Sequence, residues 1–92
     1  MEPYYIIDAD MRILDGWSNF CTFKIGEDKE LAAEIWKQMT CDKLGLLRLN
    51  LIEVGDGMEI IGAKMCTLVT FEKNSRLIAK EIFKANNFSG TA

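Results

Sequence analysis

The sequence predicts an α+β domain of order ββαββα, with an antiparallel sheet of four or five strands and two helices on one face. Three observations predict it. Short segments rich in β-branched and aromatic residues come in two pairs. Each pair is followed by a segment whose apolar residues recur at three- and four-residue spacing. No proline after Pro3 interrupts any of them.

The first pair begins with Tyr4-Tyr5-Ile6-Ile7 and Met11-Arg12-Ile13-Leu14, which flank Asp8-Ala9-Asp10 and read as an N-terminal hairpin turning at that polar triplet. After Asp15-Gly16, residues 20–25 put Cys21, Phe23 and Ile25 on one side and Thr22 and Lys24 on the other, the alternation of a half-buried strand. Asp28 is a good N-cap for a helix over about 28–40, with Leu31, Ala32, Ile35, Trp36 and Met39 on its apolar face. Glu27, Glu30 and Glu34 occupy the opposite face, near the end where the helix dipole favours negative charge.

Residues 46–54 and 58–66 form the second pair around Gly55-Asp56-Gly57. A three-residue loop, a type I turn closed by a glycine bulge, sets Leu47 opposite Met65, Leu49 opposite Ala63 and Leu51 opposite Ile61. A two-residue turn puts Lys64 beside Leu49 instead. Thr67 then caps a helix over about 68–86, whose apolar face is Leu68, Phe71, Ser75, Ile78, Ile82 and Ala85. Asn86-Asn87 suits its end, and residues 87–92 read as a frayed tail of one domain spanning 1–92.

With 92 residues, 49% apolar and 27% charged, the chain has room and composition for one globular core. It shows no basic leader and no long apolar run, so neither secretion nor membrane insertion is expected. Cys21, Cys41 and Cys66 are an odd number at wide spacing, which points to a reducing cytoplasm rather than a disulfide framework. A net charge of −3 lacks the positive footprint that holds nucleic acid.

The absence of histidine removes the usual general base and the commonest metal ligand together. Three isolated cysteines without a C-x-x-C pair do not make a zinc site. Cys21 and Cys66 read as core residues and Cys41 as the exposed thiol. Gly55-x-Gly57 with Gly62 sits in a hairpin with no helix N-terminus behind it, so it is no dinucleotide fingerprint. No catalytic residue, cofactor or metal is predicted.

Two surface features carry more information. Lys73, Arg76, Lys80 and Lys84 form a basic stripe along the second helix, either a solvated face or a surface for an acidic protein partner. In the three-residue register Arg48 lies opposite Lys64, and with Asn50 they make a candidate site for a small anion; a bulge that shifts the pairing, or splayed side chains, would relieve the repulsion instead. Ile52, Val54, Met58 and Ile60 share that outer face, which the helices leave bare, and a homodimer would cover it. The sequence therefore suggests a non-enzymatic interaction or regulatory module acting as a dimer, with a binder of small anionic or amphipathic ligands as the alternative.

Tyr5 to Leu14, with Ile7-Asp8-Ala9-Asp10 before Arg12-Ile13-Leu14, resembles the opening hairpin of a PAS sensor domain, but no ligand-pocket helices follow and no chromophore or haem is implied. As a whole the chain resembles a family of small bacterial proteins of unassigned function. The similar stretches are Phe23-Lys24-Ile25-Gly26-Glu27-Asp28, Leu46-Leu47-Arg48-Leu49, Cys66-Thr67-Leu68 and Lys80-Glu81-Ile82-Phe83. That resemblance implies the fold and brings no activity.

Overall fold

The N-terminal segment is one continuous strand where the sequence suggests a turn. In the computed structural model, which describes residues 2–90, β1 runs Tyr4–Ile13 straight through Asp8-Ala9-Asp10. The reason is its alternation: Tyr5, Ile7 and Ala9 are buried on one face, while Asp8 and Asp10 on the other find hydrogen-bond donors on the neighbouring strands. The turn comes later, at Leu14-Asp15, where Gly16 takes a φ of 139° and starts β2 (Gly16–Gly26).

Helix α1 (Lys29–Gln38) is capped by the Asp28 carboxylate, which accepts from the Leu31 amide at 3.0 Å, and it ends before the expected residue 40. Strands β3 (Leu47–Val54) and β4 (Met58–Cys66) follow, and α2 runs Leu68–Gly90, past the Asn86-Asn87 stop. The last residues of the expected tail, 91 and 92, lie outside the described residues. The Thr67 hydroxyl accepts from the Thr70 amide and caps α2 as the sequence predicts.

The sheet has four antiparallel strands in the order β2-β1-β3-β4. Both helices cover one face, and Ala32 and Ile35 from α1, Met39 at its C-cap and Ile78 from α2 meet Tyr5, Ile7, Ala9, Ile25, Leu47, Leu49, Leu51 and Cys66. A polar clamp ties α2 to the segment that follows α1: Asn74 of α2, 2% exposed, accepts from the Thr40 amide and donates to the Thr40 carbonyl. Leu68, assigned by spacing to the apolar face of α2, is exposed, and that face is carried instead by Phe71, Asn74, Leu77, Ile78 and Ile82.

The β3–β4 register corrects the simple ladder. Val54 pairs with Met58 across the three-residue loop, but a bulge between Leu51 and Ile52 shifts everything beyond it. Leu47 therefore faces Cys66, Leu49 faces Lys64 and Leu51 faces Gly62, rather than Met65, Ala63 and Ile61. Neither Gly55 nor Gly57 adopts a positive φ, so the turn is not closed by a left-handed glycine.

Candidate interaction surfaces

The bulge decides where the charged residues of β3 and β4 go. Arg48 pairs with Met65, not Lys64, and the two cations lie on opposite faces of the sheet. Lys64 points toward the helices and donates to the Trp36 and Met39 carbonyls at 2.7 and 2.9 Å, with its ammonium 4.9 Å from the Trp36 ring. It binds carbonyls at the C-terminal end of α1, where the Trp36 carbonyl also accepts from the Met39 amide at 3.2 Å. Gly62 makes room beside it, because a Cβ there would sit 2.8 Å from the Trp36 indole nitrogen.

Arg48 and Asn50 remain on the open face, brought together by an acid that the sequence assigned to a turn. Asp10 accepts from Arg48 at 3.2 Å, from Asn50 at 2.9 Å and from Asn19 at 3.3 Å. The Arg48 guanidinium lies 4.3 Å over Trp17, and Arg12 flanks the same ring at 5.6 Å. Asp10 already supplies the negative charge that an anion would bring to Arg48. This cluster ties three strands together and sets the polar centre of the open face.

Toward the β3–β4 turn that face becomes apolar. Ile52 pairs with Ile60 and Val54 with Met58. Ile52 is only 5% exposed yet stands outside the helix-side core, whereas Ile60 and Met58 are 62% and 66% exposed. The structure thus groups the four apolar residues named from sequence. On α2, Lys73, Arg76, Lys80 and Lys84 are all exposed, with Lys84 3.7 Å from Glu81.

A second apolar region escaped the sequence reading. Met11, Ile13, Leu14, Phe20, Leu44, Leu46, Leu68 and Val69 are all exposed and belong to elements that converge at one pole of the sheet. They come from the end of β1, the turn into β2, β2 itself at Phe20, the α1–β3 loop and the start of α2. The loop is drawn in by a hydrogen bond from the Arg12 amide to the Leu46 carbonyl, by one from the Asp42 amide to the Met65 carbonyl, both 2.8 Å, and by Asp42 accepting from the Thr67 amide. Those hydrogen bonds, from the Thr67 amide first and the Thr70 hydroxyl next, hold the Asp42 carboxyl below its usual range. Gly45 lies so close to Cys66 that a Cβ would collide with its carbonyl. Between these segments is a pocket of ≈ 400 Å³ lined by Met11, Arg12, Gly45, Leu46, Leu47, Thr67 and Leu68. The one usable sequence signal was a mismatch, since Leu14 and Leu44 sit in turns where polar residues are expected.

Cys41 is exposed, Cys21 half-buried and Cys66 buried, all as free thiols. Burial pushes the Cys66 thiol up, against the opposing pull of the Asn74 amide 3.5 Å away. Among the described residues no three candidate ligands gather as a metal site, and no helix is long and apolar enough to cross a membrane. No family model, curated protein or solved structure matches the chain.

Proposed function

We propose that this chain is a non-enzymatic interaction module that works as a homodimer, its second copy packed on the open sheet face around Ile52, Val54, Met58 and Ile60. One observation carries the reading: both helices lie on the same side of the sheet, and the other side ends in exposed Met58 and Ile60 that no element among the described residues covers. A domain of this size has a modest core, and a two-fold contact adds buried apolar area from the same patch twice. The basic stripe Lys73, Arg76, Lys80 and Lys84 is offered to an acidic protein partner. The net charge of −3 supports protein rather than nucleic acid as that partner, and the three free thiols support a cytoplasmic setting. Kinship with the small bacterial family of unassigned function is proposed on the stretches quoted above alone.

Sedimentation of the wild type and of Ile60→Glu tests the dimer. Fully burying an isoleucine gives roughly 1.5–3 kcal/mol. With 62% of Ile60 still exposed, about 1–2 kcal/mol per copy remains to be gained. Two copies make roughly 2–4 kcal/mol, so Ile60→Glu weakens association by about 30- to 700-fold. A wild type that sediments as a monomer at high micromolar concentration overturns the reading, as does an Ile60→Glu variant that stays dimeric.

A further inference from the structure

Opposite charges gather on two separate parts of the chain, and most of them find no partner within it. On the outer side of α2, Val69, Lys73, Arg76, Lys80 and Phe83 recur at intervals of four, three, four and three and form one exposed row. Lys84 beside its end reaches Glu81, whereas among the described residues Lys73, Arg76 and Lys80 have no carboxylate within ion-pair distance. The other part is the β3–β4 turn, where residues 49–63 hold Glu53, Asp56 and Glu59 and no cation. Glu53 stands directly opposite Glu59 in the ladder, a position that like charges disfavour. The Tyr5 hydroxyl donates to Glu53 at 2.6 Å and fixes it, but brings no positive charge to offset the pair. With Asp56 and Met58 the two glutamates line a depression of ≈ 370 Å³ at the turn. Glu53 pairs with Tyr5, whose ring belongs to the helix-side core, so both glutamates lie on the side of the sheet away from Ile52, Val54 and Ile60.

We propose that the row on α2 of one copy docks on the β3–β4 turn of another, its cations paired with Glu53, Asp56 and Glu59. The charges are complementary, and a cation brought to the turn removes the repulsion between Glu53 and Glu59 that the isolated chain retains. Val69 and Phe83 add apolar area at the two ends of the row. The two patches differ, so the contact is heterologous and copies add head to tail. A second copy fits better than nucleic acid, because Glu72 and Glu81 border the row and the net charge of −3 repels a phosphate backbone. The proposal rests on the reading of the stripe as a surface for an acidic protein, and not on the sheet-face dimer.

Sedimentation of the full chain at about 0.01 M and about 1 M salt, where charges act over about 30 Å and about 3 Å, tests the contact. The wild type is expected to form larger assemblies at low salt and to lose them at high salt. Arg76→Glu with Lys80→Glu, and separately Asp56→Lys with Glu59→Lys, each abolish those assemblies while keeping the wild-type circular dichroism, since all four side chains are exposed. An equimolar mixture of the two variants restores them, because each then meets its opposite charge on the other. Asp15→Lys with Glu34→Lys makes the same change of net charge away from the turn and associates as the wild type does. Ile60→Glu, which addresses the dimer, leaves the salt-sensitive step in place, so failure of one proposal is distinguishable from failure of the other. The proposal is overturned if the wild type shows no salt-sensitive association, if either reversed variant associates as the wild type does, or if their mixture does not. A glutamate-rich peptide that binds through Arg76 and Lys80 while copies stay apart overturns the second copy and leaves the acidic-partner reading standing; if neither binds, both fall.

Discussion

Lys64→Met isolates what a lysine does on the helix-facing side of a sheet. Methionine keeps most of the aliphatic stem against Trp36 and removes the ammonium that donates to the Trp36 and Met39 carbonyls. Hydrogen bonds from a charged donor contribute roughly 1.5–3 kcal/mol each, and a cation at a helix C-terminus about 0.3–1 kcal/mol. Releasing Lys64 from a half-buried site and gaining a methionine there offset part of that sum. The net expectation is a loss of about 2–3 kcal/mol, a large share of the roughly 5–14 kcal/mol that ~0.05–0.15 kcal/mol per residue allows a chain of this length. Urea unfolding followed by circular dichroism reads it directly: with a slope near ~1 kcal/mol/M, the midpoint falls by about 2–3 M. A midpoint within about 0.5 M of wild type at unchanged slope refutes the reasoning, because water would then serve those carbonyls as well as the ammonium does.

Three further outcomes are expected. Gly62→Ala drives a methyl into the Trp36 indole and costs about 1–3 kcal/mol of stability, read from the same urea curves. Asp42 has its folded pKa depressed, so its contribution is fully present above the unfolded value of about 3.9 and is lost as pH falls through the lower folded value. Unfolding midpoints of the wild type and Asp42→Asn should therefore differ at neutral pH and converge in that acidic window. In native protein at mildly alkaline pH, a disulfide reagent should modify Cys41 quickly and Cys66 only after unfolding, because Cys66 is buried with its thiol pushed up; mass mapping of the labelled peptides checks the order.

The elements that local chemistry specifies were legible in the sequence. Cys21, Phe23 and Ile25 alternate along β2, Asp28 and Thr67 cap the helices, and Gly55-Asp56-Gly57 joins β3 to β4. What escaped depends on neighbours far away in the chain. Two aspartates around an alanine look like a turn until Thr22, Arg48 and Asn50 arrive from other strands to satisfy them. The bulge that the facing of Arg48 and Lys64 already suggested leaves Ile61 unpaired beside Gly62, but where it moves Lys64, to the C-terminal end of α1, is set by carbonyls from a distant part of the chain. At the apolar pole each leucine taken singly is unremarkable, and only the convergence of separate elements makes a pocket of them.

The strand order has a consequence for the chain as it is made. β1 is synthesised first but lies in the middle of the sheet, paired locally with β2 and, on its other edge, with β3. Until β3 leaves the ribosome, a hairpin bearing Tyr5, Ile7 and Ala9 waits with one edge unpaired, the condition under which nascent strands add to one another. Asp8 and Asp10 sit on that waiting strand, where their charge disfavours a second hairpin of the same sequence stacking in register. When Arg48 and Asn50 arrive on β3 they meet the same acid, so Asp10 changes from a guard on an open edge to the tie that closes the sheet.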